Sequence, residues 1–256
     1  MQRYFIQLAY NGTAYHGWQI QENTPNTIQQ VLNEKLSLIL NELITVTGCG
    51  RTDTGVHAKD FYAHFDSEKI DIAENEFKWI HKLNSVLPND IAAFKIFKVK
   101  NDANARFDAI SRTYDYVNCT SKNPFLIDTA YFIKSEPDIE KMNNACKVLF
   151  EYIDFSCFSK SNTQTFTNNC KILEAHWKKE NNLLVFTISA DRFLRNMVRA
   201  IVGTLLEIGE NKITIEELKE IIESKNRSNA GFSVPAGGLF LTKIQYPEAT
   251  LKSYNN

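Results

Sequence analysis

Apolar and polar residues alternate along several short segments of this chain, and a two-residue period of this kind predicts half-buried β-strands. In the first part of the chain, strands are predicted at 4–10, 43–47, 61–65 and 91–99. Between them, apolar residues recur at helical spacing over 27–40 and again near 74–86. Thr27 and Gln30 resemble a capping box, which predicts the start of the first helix.

The same mixture resumes after about residue 108. Strands are predicted at 112–119, 169–178, 183–190 and 239–246, and helices near 138–150, 192–208 and 214–224. Two such halves indicate an α+β fold of two domains, with predicted limits 1–107 and 108–256. The polar run 160–169 is the best candidate for a mobile loop that orders on substrate, although a loose surface loop is the interpretation we favour.

Composition is that of an ordinary globular protein, with 43% hydrophobic and 23% charged residues. No apolar run approaches the roughly 20 residues that span a bilayer, and the N-terminal residues lack the pattern of a signal peptide. The five cysteines are odd in number and scattered, and no histidine pair has metal-ligand spacing. We therefore expect a cytoplasmic protein with no metal or other cofactor and no membrane partner.

The net charge of −1 is unusual for a nucleic-acid binder, so any RNA-binding field has to be local. Of the 29 basic residues only eight are arginine. Five of them fall in the motif segments described below and Arg192 directly precedes one: Arg51, Arg106, Arg112, Arg192, Arg195 and Arg199. Arginine offers a planar, bidentate fork for phosphate or carboxylate, which favours a role in binding over chance clustering.

Residues 48–58 read GCGRTDTGVHA and place Asp53 among three glycines and close to Arg51. Glycines permit tight turns, and a nearby guanidinium keeps a carboxylate ionised and oriented, as a nucleophile requires. An ordinary structural turn is the alternative for this local pattern. A phosphate-binding loop is a further alternative, but the string matches neither common glycine-rich phosphate motif.

The predicted helix from residue 192 carries Arg192, Arg195 and Arg199 at i, i+3 and i+7 along one face, with Asp191 as its N-cap. Cations near a helix start oppose the helix dipole, so a phosphate or carboxylate partner would compensate. A solvated basic face is the alternative.

Aromatic residues also admit two interpretations. Tyr114 shares one face of a predicted strand with Arg112 and Tyr116, where core packing competes with a catalytic role. Tyr15 and Trp18 could stack on bases, but core packing is the interpretation we favour for both.

Six segments, in order along nearly the whole chain, resemble the motifs of the TruA-type tRNA pseudouridine synthase family. They are YNGTAYHGWQ (10–19), GRTDTGVHA (50–58), LNSVLPND (83–90), ARFDAISRTYDY (105–116), FLRNMVRAIVGTLLEIG (193–209) and PAGGL (235–239). The resemblance implies two similar domains, each a largely antiparallel sheet flanked by helices, with the active site in the cleft between them.

The resemblance also implies an activity: isomerisation of uridine to pseudouridine at positions 38, 39 and 40 of the tRNA anticodon arm, by a homodimer. It implies Asp53 as nucleophile, Tyr114 as the residue that stacks on uracil and is a candidate base for the C5 proton, and Arg199 as the partner of Asp53. Substrate-binding roles follow for Arg51 and Tyr114, and supporting roles for Arg106 and His57, while the arginine-bearing helix face predicts that Arg192 and Arg195 bind substrate phosphates. Thr54 and Asp108 depart from the family pattern, and a non-catalytic RNA-binding module of the same fold is the alternative function.

Overall fold

A computed structural model of the chain describes residues 1–69, 75–160 and 166–251. The described strands are β1 Gln2–Tyr10, β2 Thr47–Gly48, β3 His57–Ser67, β4 Ile91–Lys98, β5 Ser111–Cys119, β6 Tyr131–Phe132, β7 Ile172–Glu180, β8 Leu183–Ala190 and β9 Leu239–Gln245. The described α-helices are α1 Ile28–Leu40, α2 Glu76–Asn84, α3 Ile139–Val148, α4 Met197–Gly209, α5 Ile215–Ser224 and α6 Glu248–Leu251. The prediction of a mixed α/β protein is confirmed.

The chain divides into two compact units. The first contains Met1–Ile110 together with the chain from Leu241 onward, and the second contains Ser111–Phe240. The chain from Leu241 onward, which includes most of β9, thus belongs to the first unit. The domain limits 1–107 and 108–256 stay a prediction, and these compact units differ from them in the place of the C-terminal residues.

In the first unit, β1 pairs antiparallel with both β3 and β4, and β2 pairs antiparallel with β3. Phe5, Ile6 and Leu8 of β1 are fully buried, so this strand lies in the core. Helix α1 begins where predicted, because the Thr27 side chain accepts a hydrogen bond from the backbone N–H of Gln30.

The predicted strand at 43–47 is largely wrong, since within it only Thr47 belongs to a strand. Side chains of α1 occupy the backbone donors that a strand would use. The N–H of Ile44 donates to the Ser37 hydroxyl over 2.9 Å, and the N–H of Val46 donates to Asn33 Oδ1 over 2.8 Å. Ile44 and Val46 are nevertheless buried, so the apolar run indicated burial correctly but not pairing.

In the second unit, β8 pairs antiparallel with both β5 and β7, while the short β6 runs parallel to β5. Pairing in each unit is therefore mostly antiparallel, as predicted. Residues 161–165, which belong to the predicted mobile loop at 160–169, lie outside the described residues.

The prediction that a helix starts at Arg192 is wrong, because α4 starts at Met197. Asn196 has φ of 68°, a left-handed conformation that a right-handed helix cannot contain. Asp191 is not an N-cap, since its Oδ1 accepts from the backbone N–H of Lys171 and of Arg192. Arg192 and Arg195 thus lie in the segment before the helix and form no stripe with Arg199.

Candidate active site

Asp53 opens a tight turn in the first unit. The backbone N–H of Val56 donates to the Asp53 carbonyl over 3.1 Å, and Gly55 between them has φ of 79°. A positive φ at the third position of a turn favours glycine, which has no Cβ. Strand β3 begins directly after the turn, at His57. Asp53 is therefore half-buried at the start of a paired strand, and Arg51 beside it is exposed.

A second loop, formed by residues 11–18 after β1, packs closely against this turn. The N–H of Gly55 donates to the carbonyl of Tyr15 over 3.3 Å, and the N–H of Trp18 donates to the carbonyl of Thr52 over 3.2 Å. Gly17 has φ of 85°, and a Cβ there would lie 2.4 Å from the Thr52 carbonyl oxygen. The backbone on both sides of Asp53 is thus held by one neighbouring loop.

The core behind the turn is aromatic. Tyr15 is 4% exposed and Trp18 is 2% exposed, which confirms that both pack in the core. The Trp18 ring stacks on Phe61 with centroids 4.1 Å apart. The hydroxyls of Tyr10 and Thr52 lie 2.9 Å apart and form a buried hydrogen bond. The residue before Asp53 is therefore fixed through its side chain as well as its backbone.

The glycines around Asp53 serve different purposes. A Cβ on Gly48 would lie 2.4 Å from the Trp18 indole, so only glycine fits there without displacing that ring. A Cβ on Gly50 would meet no atom within 4 Å, so no close approach requires glycine at that position. A close approach thus requires glycine at position 48, and a positive φ favours it at position 55.

His57 is buried and connects the turn to the loop after β1. Its Nδ1 accepts the backbone N–H of Gly12 over 3.0 Å, which places the proton of the neutral ring on Nε2. A Cβ on Gly12 would lie 2.0 Å from the carbonyl oxygen of Val56. His57 therefore links the turn of Asp53 to the loop after β1, and its supporting role stays a prediction.

Arg106 lies in the same unit on a turn that side-chain hydrogen bonds stabilise. Asn104 Oδ1 accepts the N–H groups of Arg106 and Phe107, and Asp108 Oδ2 accepts the N–H of Asn104 over 2.8 Å. Asp108, a departure from the family pattern, thus stabilises this turn. Arg106 is exposed, and its guanidinium lies 5.5 Å from the centroid of the exposed Phe107 ring.

The second unit carries the other predicted site residues. Tyr114 is half-buried in the middle of β5, opposite Ile188 of β8. Its ring meets Phe193 edge to face, with centroids 5.3 Å apart and an interplanar angle of 89°. Because Phe193 lies between Arg192 and Arg195 in the chain, the structure brings Tyr114 close to this arginine-bearing segment.

Tyr116, two residues further along β5, is a core residue. It is fully buried, and its hydroxyl donates to the carbonyl of Pro235 over 2.8 Å. Burial strongly raises the pKa of this hydroxyl. A Cβ on Gly238 would lie 2.8 Å from the Tyr116 ring, which explains the glycine in the PAGGL segment. The two tyrosines of RTYDY therefore separate into a half-exposed residue and a structural one.

Arg199 is the third residue of α4 and is half-buried. Its Nε donates to the carbonyl of Val234 over 2.7 Å, and the N–H of Val234 donates back to the carbonyl of Arg199 over 3.3 Å. The first turn of α4 contains no acidic residue. A directed guanidinium at a helix start adds to the positive end of the helix dipole, which suits an anion.

Residues 230–234 form the segment that contacts Arg199, through Val234, and this contact was not predicted from the sequence. The side chain of Arg227 donates to the carbonyls of Ala230 and Gly231 and to the hydroxyl of Ser233. A Cβ on Gly203 of α4 would lie 1.9 Å from the carbonyl oxygen of Phe232, so this segment lies directly against the helix. The glycine in VGTLL was the available signal for that close approach.

Among the described residues, no three His, Cys, Asp or Glu side chains come together in a way that could hold a metal ion. Within the same residues, no helix combines the length and apolar character needed to cross a membrane. The five cysteines, all of them described, are free and buried thiols.

Comparison with known proteins relates the chain to one group of enzymes. A family model described as tRNA pseudouridine synthase matches residues 152–247. The tRNA pseudouridine synthase A of Parabacteroides distasonis is 52% identical over 97% of both chains. That of Bacteroides thetaiotaomicron is 51% identical over 97% of this chain and 92% of its own. That of Francisella tularensis subsp. novicida is 37% identical over 98% of this chain and 97% of its own.

Proposed function

This chain belongs to the tRNA pseudouridine synthase A family, and we propose that it isomerises uridine to pseudouridine at positions 38, 39 and 40 of the tRNA anticodon arm. The glycosidic bond between N1 and C1′ breaks, the uracil turns, C5 bonds to C1′ and loses its proton, and N1 gains a proton. No net oxidation or reduction occurs. The turn that carries Asp53 is the observation that carries this proposal, because its neighbouring residues are held by backbone hydrogen bonds in a chain that is 52% identical to a tRNA pseudouridine synthase A over 97% of its length.

Asp53 is the proposed nucleophile, which attacks either C1′ of the ribose or C6 of the base. A nucleophile held in place before the substrate arrives reacts without paying for its own ordering. Hydrogen bonds from the loop after β1 hold the residues on both sides of Asp53, and Tyr10 holds the Thr52 side chain. These contacts supply the ordering that the proposal requires.

Arg199 is the proposed partner of the Asp53 carboxylate, in a cleft between two domains. A bound guanidinium orients a carboxylate and keeps it ionised. The Nε bond to Val234 directs the guanidinium, and its position in the first turn of α4 adds the positive helix end.

Tyr114 is proposed to stack on the uracil once the nucleotide has left the base stack, a step that costs a few kcal/mol. The ring is half-buried and packs against Phe193 with an interplanar angle of 89°. The Tyr114 hydroxyl is a candidate for removing the C5 proton.

Arginines of the motif segments are the proposed contacts to the RNA. Arg51, Arg106 and Arg195 are exposed, and Arg192 is half-exposed. The two remaining arginines bind groups of the protein: Arg3 forms two 2.8 Å hydrogen bonds to Asp66, and Arg227 donates to the hydroxyl of Ser233 beside α4. Accessible guanidinium groups suit contacts to phosphate, which favours binding roles for the exposed motif arginines over chance clustering. Arg112 is half-buried and donates to the carbonyl of Asp191.

We further propose that the enzyme is a homodimer in the cytoplasm. Five free thiols favour a reducing compartment. Analytical ultracentrifugation at several concentrations tests the dimer: sedimentation at the mass of one 29.4 kDa chain at every concentration would contradict it.

The function is tested with tRNA transcripts that carry tritium at C5 of uridine. We expect the protein to release tritium from a transcript with uridine at positions 38–40, and to release none when those positions are cytidine. Binding without release would favour a non-catalytic RNA-binding module. Release from both transcripts would keep the chemistry and contradict the positions.

A further inference from the structure

A hydrogen-bonded pair, formed by the buried Tyr15 and the half-buried Asp90, supports the loop that holds the catalytic turn. The hydroxyl of Tyr15 donates to Asp90 Oδ1 over 2.5 Å, although the two residues are 75 positions apart in the sequence. Burial, followed by the hydrogen bond to Asp90, raises the pKa of Tyr15, so the hydroxyl keeps its proton and acts as the donor. A short bond to a carboxylate is among the stronger hydrogen bonds in proteins.

Asp90 is fixed to the sheet of the first unit. It directly precedes β4, whose first residue Ile91 pairs with Tyr10 at the end of β1. The Asp90 carbonyl also accepts the N–H of Asn11 over 2.9 Å. The backbone and the side chain of Asp90 therefore bind the two ends of the Asn11–Tyr15 segment. The pair therefore ties the loop after β1 to two paired strands.

The other side of this segment contacts the turn of Asp53. The carbonyl of Tyr15 accepts the N–H of Gly55, and Gly17 two residues later packs against the carbonyl of Thr52. A chain of contacts thus runs from β4 through Asp90 and Tyr15 to the residues on both sides of Asp53. Tyr15 touches the turn through its backbone, so its hydroxyl acts by fixing where that backbone lies.

We propose that Tyr15 and Asp90 form a brace that positions the nucleophile, an inference that rests on Asp53 being the nucleophile of the proposed reaction. Tyr15 and Asp90 are positioning residues in this account. A displacement of about 1 Å in a reacting group can cost up to about a hundredfold in rate. Loss of the brace should therefore lower the rate of the chemical step but leave tRNA affinity nearly unchanged, because the arginines proposed to bind RNA are not altered.

The test is the single-turnover rate of tritium release, measured beside tRNA affinity and thermal unfolding. Tyr15→Phe keeps the ring that fills the core and removes the hydroxyl. We expect a fall of about tenfold in rate with less than about a twofold change in Kd. Tyr152→Phe is the matched control, because Tyr152 also donates to a carboxylate, that of Glu223 over 2.8 Å, but lies in the second unit. This control should lose less than about twofold in rate.

Two Asp90 variants separate positioning from folding. Asp90→Asn retains an oxygen that accepts from Tyr15 and should recover most of the rate that Asp90→Ala loses. The Tyr15→Phe/Asp90→Ala double variant should be no slower than the slower single variant, because the pair acts as a unit. A wild-type rate in folded Tyr15→Phe, an equal loss in rate and affinity, or no recovery in Asp90→Asn would overturn the brace. If the wild-type protein itself released no tritium, the proposed function would fail first.

Discussion

Burial of His64 should make the stability of this protein fall as the pH drops from 6.5 toward 4. The residue is buried in β3, and its Nδ1 accepts the backbone N–H of Ala105 over 3.1 Å, next to Arg106. Burial, with a smaller contribution from the positive charge of Arg3, lowers the pKa of His64 to about 4. Asp66 and Asp108 oppose this shift but do not reverse it. Protonation would place a hydrogen on the accepting nitrogen and break the bond.

The magnitude follows from the two protonation equilibria. The unfolded chain binds the His64 proton near its ordinary pKa of 6.5, and the folded chain binds it near 4. The unfolded state therefore carries more protons between these values, so the free energy of unfolding falls as the pH drops below 6.5. Above pH 6.5 the contribution to stability is complete. Across the whole window the loss amounts to about 3 kcal/mol, and about 2 kcal/mol of it occurs between pH 7 and pH 5.

The assay is urea unfolding of the wild type and of His64→Asn at pH 7, 6 and 5. Asparagine offers Oδ1 as an acceptor near the position of Nδ1 and does not titrate. We expect the wild type to lose about 2 kcal/mol more than the variant between pH 7 and pH 5, because other carboxylates and histidines contribute equally to both. Parallel curves for the two proteins would refute the reasoning, since His64 would then titrate alike in the folded and unfolded states.

Three further predictions concern the site. Tyr114→Phe keeps the stacking face and should bind tRNA normally while tritium release fails; release at the wild-type rate would limit Tyr114 to packing. Arg199→Ala should lower the single-turnover rate with little change in tRNA affinity. Arg192→Ala should instead lower the slope of log affinity against log salt concentration by about one, and an unchanged slope would mean that Arg192 contacts solvent and not phosphate. Gly17→Ala should lower the free energy of unfolding in urea by about 1–3 kcal/mol, because φ is 85° and the added Cβ would meet the Thr52 carbonyl. Gly50→Ala, where the Cβ enters open space, should lower it by less than about 1 kcal/mol. Equal losses for the two variants would contradict the packing argument.

Local patterns predicted most of the elements because their signals lie within one segment. The alternation of β1 and the capped stripe of α1 each needed only neighbouring residues, and both predictions are confirmed. The predicted start of α4 was wrong because it depends on a residue far away in the sequence. Asn196 takes a left-handed conformation, and its side chain donates to Ser233, 37 residues away. Helical periodicity alone gives no sign of such a distant partner.

The turn of Asp53 was predictable because glycine marks positive φ and close approach within the motif itself. Its support was not, since Tyr15 and Asp90 meet only when β1 and β4 pair. Tyr15 was correctly predicted to be in the core, but burial by itself does not show which polar group a tyrosine hydroxyl reaches. The predicted strand at 43–47 was wrong for a similar reason, because side chains of α1 accept the hydrogen bonds of its backbone N–H groups.

The most direct test of the central claim is single-turnover tritium release by Asp53→Asn, with tRNA affinity measured on the same preparation. The amide is nearly isosteric with the carboxylate but is a poor nucleophile. The account predicts no detectable turnover and a Kd within about twofold of the wild-type value, because the turn and the arginines are unchanged. A folded Asp53→Asn protein that retained even about a tenth of the wild-type rate would show that Asp53 is not the nucleophile.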